Sequence, residues 1–267
     1  MSADALYVKD GSTFVPTGLT RGPWSPDAQH GGPPCALLTG AIEAVDSPAA
    51  MVVARVTFEL LRPVPLAPLT VATEVLRPGR KVQLVGASLR AVDGDVEVAR
   101  AVALRIRSAS LPLPSDVAIE STCPDLPADD GGSVERAPFA VASDLEHFIR
   151  EGMEIRVVAG GFAGPGPGTA WFRLRVPVVA GEEPMGSQRA VAAADFGNGL
   201  SWVVPPDWLF INPDLTVHFL RPPVGEWICL AARTLPSGVG VGVAESALYD
   251  SDGRVGRSVQ SLLLDRR

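Results

Sequence analysis

Residues 54–107 and 213–266 align without a gap at a constant offset of 159, and 14 of the 54 pairs are identical. The identities fall on punctuation as well as on apolar positions. Leu61-Arg62-Pro63 recurs as Leu220-Arg221-Pro222, and Asp93-Gly94 recurs as Asp252-Gly253. An Asp-Gly pair between apolar runs marks a hairpin tip that needs a positive φ. Two such signals sharing one offset mean that a single supersecondary unit has been written twice.

Each copy reads as one helix followed by antiparallel strands. His30-Gly31-Gly32-Pro33-Pro34 opens Cys35–Val45, a stretch that is small and apolar almost all round. Proline suits a first helical turn, and a helix apolar on every side must be wrapped by something else. Strands are expected at Val52–Leu61, Leu69–Leu76, Val82–Val92 and Val96–Ser108. In the second copy a helix is expected over Arg189–Val204, with strands at Leu215–Leu220, Trp227–Thr234, Gly240–Tyr249 and Val255–Leu264. Between the copies, Leu111–Gly132 is rich in Pro, Asp and Ser and reads as a loop. Phe139–Glu151 is expected to hold a short helix, and Ala170–Val176 the first strand of the second unit. The fold class is therefore α+β, in two tandem units: 1–110, a connection at 111–165, and 166–267. A helix enclosed by a curved antiparallel sheet is the hotdog arrangement, so the whole is a double hotdog.

Composition narrows the function. A net charge of -7 argues against a nucleic-acid partner, because phosphate backbones are bound by clustered Lys and Arg. The N-terminus lacks the basic start and apolar run of a signal peptide, and no apolar stretch approaches a membrane span. Cys35, Cys123 and Cys229 are odd in number and far apart, which disfavours a disulfide framework or structural zinc and suits a reducing cytoplasm. His30, His147 and His218 are scattered and form no metal constellation. Gly199-Leu200-Ser201-Trp202-Val203 lacks the second glycine of a serine-hydrolase elbow. The glycine alternation of Gly238–Gly242 falls in a hairpin, so it is no dinucleotide loop.

Duplicated hotdog units, QHGGPPCALL, RAVAAADFGNGLSW, FINPDLTVHFLRP and SVQSLLLDRR together resemble the TesB-like (thioesterase II) acyl-CoA thioesterases, from about Gly22 to Arg267. The resemblance implies an acyl-CoA substrate and a water held by an Asp, a Thr or Ser, and a Gln, with no metal or redox cofactor. Local strings map these roles onto Asp195, Asn212 and Gln260. Asn212 departs from the pattern, since it has no hydroxyl, but its amide can both donate and accept.

The residues can be weighed without the family. A carboxylate on an apolar, sheet-enclosed helix must be satisfied or functional. Desolvation is expected to raise the Asp195 pKa and suit it to a base, unless it merely caps the helix or pairs with Arg189. The resemblance, here to single-domain hotdog thioesterases with His-Gly-Gly at the helix start, implies that His30, Gly31 and Gly32 bind substrate and that their backbone N–H groups polarise the thioester oxygen; His30 could equally be a plain cap. The first copy has Ala101 where the second has Gln260, and it reads as a degenerate site. Asn198, three residues after Asp195, could orient the carboxylate or bind substrate by donating to its carbonyl, or it merely packs as an amide. Arg80 and Lys81, with Arg77, could bind CoA phosphates or form a solvated turn.

Two other functions share this fold. An enoyl-CoA hydratase would use an Asp and a His, as in Asp144-Leu145-Glu146-His147. A non-catalytic acyl-CoA-binding protein would explain the missing hydroxyl at 212. Two fused units already supply the pairing that single units obtain by dimerising, which permits a monomer; exposed sheet edges favour a homodimer.

Overall fold

The computed structural model describes residues 4–114, 116–117, 122–128, 145–205 and 207–266. In chain order the elements are β1 (Tyr7–Asp10), β2 (Thr13–Pro16), α1 (Gly32–Glu43), β3 (Met51–Leu60), β4 (Leu69–Arg77), β5 (Val82–Ala91) and β6 (Val96–Arg107). Then follow β7 (Met153–Gly160), β8 (Gly168–Leu174), α2 (Gly186–Ala194), α3 (Gly197–Leu200), β9 (Trp208–Ile211), β10 (Asp214–Phe219), β11 (Trp227–Pro236), β12 (Val241–Asp250) and β13 (Gly253–Arg266).

One antiparallel sheet runs β1-β2-β4-β5-β6-β3-β10-β13-β12-β11-β8-β7, with β9 alongside β13. Read outward from the β3–β10 junction, each strand along this path has its counterpart in the other half, and β9 is an addition to the second. The sequence offset lies in that junction: Thr57 is paired with Thr216, its own equivalent, and Thr216 Oγ1 is 3.1 Å from Thr57 Oγ1. A local twofold therefore passes between the two threonines. β5 and β12 also begin and end at equivalent positions under the same offset. Both Asp-Gly turns use positive φ, 71° at Gly94 and 105° at Gly253.

The helices lie inside the sheet and against each other, antiparallel. Leu38, Ile42, Val191 and Ala192 are fully buried in a core shared with Phe58, Leu89, Leu215 and Leu248 from the sheet. Small residues set the helix spacing. A Cβ on Gly32 would lie 2.8 Å from the Ala192 carbonyl oxygen, and one on Gly40 would collide with the Gln188 amide. Gln188 also donates to the Ala36 carbonyl, 3.2 Å away, across the helix interface. The start of α1 consequently faces the end of α2, and this places the site described below.

Three departures from the sequence reading have local causes. The helix expected over Arg189–Val204 begins earlier, ends at Ala194 and resumes as the single turn α3. At that break Gly197 comes so close to the sheet that a Cβ would lie 2.9 Å from both Gln260 Oε1 and Ser246 Oγ. β7 lies within the span read as connection, and pairs with β8 as β1 pairs with β2. Its sequence, MEIRVVAG, is too short to separate strand from helix by periodicity. Of the helix expected at Phe139–Glu151, one turn at Phe148–Gly152 is seen; 139–144 lie outside the described residues.

The repeated Leu-Arg-Pro motif has diverged in role. Arg221 binds the fully buried Asp250 through both carboxylate oxygens, 2.6 and 2.5 Å away, and Val224 and Asp252 donate backbone N–H groups to the same carboxylate. In the first half Arg62 is exposed, and the position equivalent to Asp250 is Ala91. Burial alone would push the Asp250 carboxyl up, but Arg221 and the two N–H groups hold it below the ordinary carboxylate range. A depressed carboxylate stabilises the fold above its unfolded pKa, and that contribution is lost as pH falls through the folded one. Asp250→Ala is expected to cost about 2–3 kcal/mol in urea unfolding at pH 7 and to flatten the acid limb of the stability curve. A cost under about 0.5 kcal/mol would mean Arg221 is satisfied equally well by solvent.

Candidate active site

The approach to α1 is a tight loop. His30 N–H donates to the Thr20 carbonyl at 2.8 Å, Gln29 N–H to the Val64 carbonyl at 2.8 Å, and Gly22 N–H to the Ala28 carbonyl at 2.9 Å. This fixes the His30 backbone at the helix start. Its ring stacks on Phe196, with centroids 4.6 Å apart, and Phe148 and Phe172 extend the aromatic shelf. The imidazole keeps 10% of its surface exposed.

Asp195 ends α2 and is 4% exposed. His30 Nδ1 is 2.9 Å from its Oδ2. Asn212 Nδ2 donates to Oδ1 at 2.8 Å, and Gln260 Nε2 to Oδ1 at 3.3 Å. The Gly32 N–H points into the same junction, 3.1 Å from His30 Nδ1, and adds a hydrogen bond to the carboxylate. Four donors thus meet a carboxylate that has about four lone-pair positions. Asn198 braces the donors: its N–H donates to Gln260 Oε1 at 3.1 Å and its side-chain amide to Asn212 Oδ1 at 3.3 Å. That fixes both amides with their nitrogens toward Asp195.

His30, Gly31, Gly32, Asp195, Asn198, Asn212 and Gln260 therefore form one composite site, built from both halves of the chain. This corrects the reading of His30–Gly32 as the remnant of a separate first-half site. The twofold sets the start of one helix against the end of the other, so the first half supplies the histidine and the second the carboxylate. Asp195 does not pair with Arg189, which binds Glu183 instead.

The expected direction of the Asp195 pKa is also corrected. Burial does push it up, but the His30 charge and hydrogen bond, the Asn212 amide and the Gly32 N–H outweigh burial and hold it below its ordinary value. A carboxylate so held is a weak base. The expected oxyanion donors change as well. Pro33 and Pro34 have no N–H, and those of His30 and Gly32 are already engaged, which leaves the Gly31 N–H and the positive macrodipole end of α1.

Two family models between them match most of the chain. Residues 20–106 match the acyl-CoA thioesterase N-terminal domain, and residues 120–264 match the acyl-CoA thioesterase C-terminal domain. The chain belongs to the acyl-CoA thioesterase family. Among solved structures, a hot dog fold protein from Alicyclobacillus acidocaldarius matches with TM-score 0.69 at 16% identity, over 99% of this chain and 97% of its own. The tesB protein of Mycobacterium avium subs paratuberculosis matches with TM-score 0.65 at 15% identity, over 97% and 95%. Acyl-CoA thioesterase II of Mycobacterium marinum gives 0.63 at 17% identity, over 97% and 94%. At these identities the structures establish the double-hotdog fold. No curated protein matches the chain.

Within this family member, Arg80 and Lys81 lie away from the composite site. They are exposed at the β4–β5 turn, next to Gln83, which pairs with Arg105. Arg105 in turn donates to the Val45 carbonyl at 2.7 Å, beyond the C-terminal end of α1. The turn and His30 are therefore separated by the length of α1, roughly 18 Å for twelve residues. Asp144 of the alternative Asp–His pair lies outside the described residues. His147 is buried near the site; burial first, then Arg150, lowers its pKa. Sequence reasoning missed the aromatic shelf, although Phe196 directly follows Asp195, and it missed the reason for Gly31.

That reason is contact. Gly31 has an ordinary helical φ of -65°, yet a Cβ there would lie 2.7 Å from Asp195 Oδ2 and 3.0 Å from Oδ1. Gly31→Ala is expected to displace the carboxylate, costing about 1–3 kcal/mol of stability. It should also lower kcat/KM by about 10- to 100-fold, read by calorimetric melting and thiol-release kinetics. Unchanged kinetics would show that the carboxylate can move without consequence.

Proposed function

We propose that this chain hydrolyses the thioester of acyl-CoA to the free acid and CoA, with His30 and Asp195 acting as a pair. The observation that carries the reading is the saturated carboxylate. With its lone pairs occupied by His30, Gly32, Asn212 and Gln260, Asp195 serves to hold the imidazole with the proton on Nδ1. Nε2 is left with its lone pair and has no hydrogen-bond partner among the described residues. Asp195 then orients, as the third member of a nucleophile–base–carboxylate arrangement does, and His30 takes the proton.

In the reaction, water bonds through its oxygen to the thioester carbon while its proton passes to His30 Nε2. The carbonyl oxygen carries negative charge in the tetrahedral intermediate, facing the positive end of α1. The intermediate collapses with cleavage of C–S, and the leaving thiolate takes the proton back from His30. Asn212 and Gln260 hold the carboxylate and bound the space where water must sit, which is how an amide can stand where relatives of the resemblance carry a hydroxyl. No step needs a metal or redox cofactor.

The Asp–His pair favours one second reading, addition of water to a 2-enoyl-CoA, because the same base can activate water for attack on carbon. A panel of saturated and 2-enoyl-CoAs of several chain lengths separates the two. Release of free thiol from saturated substrates is the expected result. Loss of the enoyl absorbance without thiol release would overturn the hydrolase reading in favour of the hydratase. Binding with neither reaction would leave an acyl-CoA-binding protein.

A further inference from the structure

On the face of the sheet opposite the helices, Arg55 of β3, His218 of β10 and Arg257 of β13 stand in one row: His218 is paired directly with Arg55 on one side and with Arg257 on the other. Like charges placed opposite one another across strands are destabilising. Two strand spacings put the arginine Cα atoms only about 9.6 Å apart. No hydrogen bond or ion pair to a described residue relieves them, and Arg55 Nε is buried with no partner. This is unexpected in a chain whose net charge is -7.

The row borders a depression. Arg257 lines a cavity of 390 Å³ together with Arg233, Arg254 and Glu245, over a floor of Thr169, Ala231 and Ala247. Arg233 is paired with Glu245. Arg254 stacks over Tyr249, 5.1 Å from its centroid, and donates to the Gly256 carbonyl at 2.6 Å. Arg233 and Glu245 offset each other, and Arg257 brings the charge of the row to the cavity. Small residues keep the floor open, so an anion can reach the guanidinium groups without displacing a side chain.

We propose that this outer face is a binding site for a phosphate-bearing anion of the diphosphate or phosphate-ester class, held by Arg55, His218 and Arg257 and separate from the thioester site. The guanidinium pair supplies planar donors suited to phosphate oxygens, and the imidazole between them supplies a third donor when protonated. Burial first, then the charges of Arg257 and Arg55, hold the His218 pKa below its ordinary value. An anion seated between the arginines cancels the charge contribution and favours the imidazolium. Anion affinity therefore increases as pH falls. The row is on the face of β13 opposite Gln260, so occupancy does not touch His30 or Asp195.

The test titrates the protein with pyrophosphate, and separately with 3′,5′-ADP, at constant ionic strength set by sodium chloride. Wild type is compared with the Arg55→Gln/Arg257→Gln double variant by calorimetry and thermal melting. The expected result is saturable binding to wild type, tighter at pH 6 than at pH 8 and at least tenfold weaker in the variant. The anion-free variant should melt at or above wild type, because a like-charge repulsion is gone, and its thiol-release rate should be unchanged. Preference for 3′,5′-ADP over pyrophosphate would make the ligand a nucleotide phosphate ester; the reverse would make it a free polyphosphate. Absence of saturable binding to wild type, or equal binding by the variant, would overturn the proposal.

Discussion

Asp195→Asn is expected to lower kcat/KM for acyl-CoA hydrolysis by about 10³–10⁴, a drop of the size seen when the orienting carboxylate of a base is amidated elsewhere. The substitution keeps shape and removes charge. In the native site every group reaching this side chain is a donor: His30 Nδ1, the Gly32 N–H and the amides of Asn212 and Gln260. An asparagine amide nitrogen must face at least one of them donor to donor. Against His30 the consequence is a tautomer change, with the proton moving to Nε2, where a lone pair is needed. Against Asn212 it is a broken bond that Asn198 resists, because Asn198 fixes the orientation of that amide.

The same change should be visible without substrate. The Asp195 carboxyl is held below its ordinary value, so its ionised form contributes stability above the unfolded pKa, lost as pH falls through the folded one. Asp195→Asn removes that contribution, and the variant's stability should depend less steeply on pH below about 4. At neutral pH a loss of about 2–3 kcal/mol is expected from donors left unmatched in a buried place. Retention of activity within threefold, measured with enzyme whose melting shows it folded, would remove the carboxylate from the mechanism.

Much of this architecture was legible because the repeat made it so. Once Leu-Arg-Pro and Asp-Gly recur at one offset, the β3–β6 and β10–β13 strands can be read from either copy and checked against the other. The short edge strands were not legible. β7 and β9 have eight and four residues; β7 is placed by its hairpin with β8, and β9 by β13, far away in sequence. In the site, Asp195 and Gln260 were legible as polar residues in apolar surroundings. Their meeting with His30 was not. That contact spans 165 residues and depends on antiparallel helix packing, which glycines 32 and 40 permit but no periodicity displays. A linear comparison sets His30 against the start of the second helix; the twofold sets it against that helix's end. The same geometry explains the pKa error, since burial is a property of one segment and compensation needs four donors from three others.

His30→Gln separates the two ways in which the pair can work. Glutamine carries an amide N–H that can still donate to Asp195, so the hydrogen bond and much of the packing against Phe196 survive, while the lone pair on Nε2 is gone. If His30 accepts the proton of water, kcat falls by about 10²–10⁴ with KM changed little, because general-base catalysis is lost and binding is not. If Asp195 were the base, one of its four donors would have to yield to water, and the weakened His30 contact would leave His30→Gln within about tenfold of wild type. His30→Ala adds an independent readout. It opens the space beside Phe148 and Phe196, and free imidazole at millimolar concentration should restore part of the rate to this variant but none to Asp195→Asn, since a diffusing base can replace the lost ring but not the carboxylate that orients it. Recovery in neither variant, together with near-native activity of His30→Gln, would return the proton to Asp195.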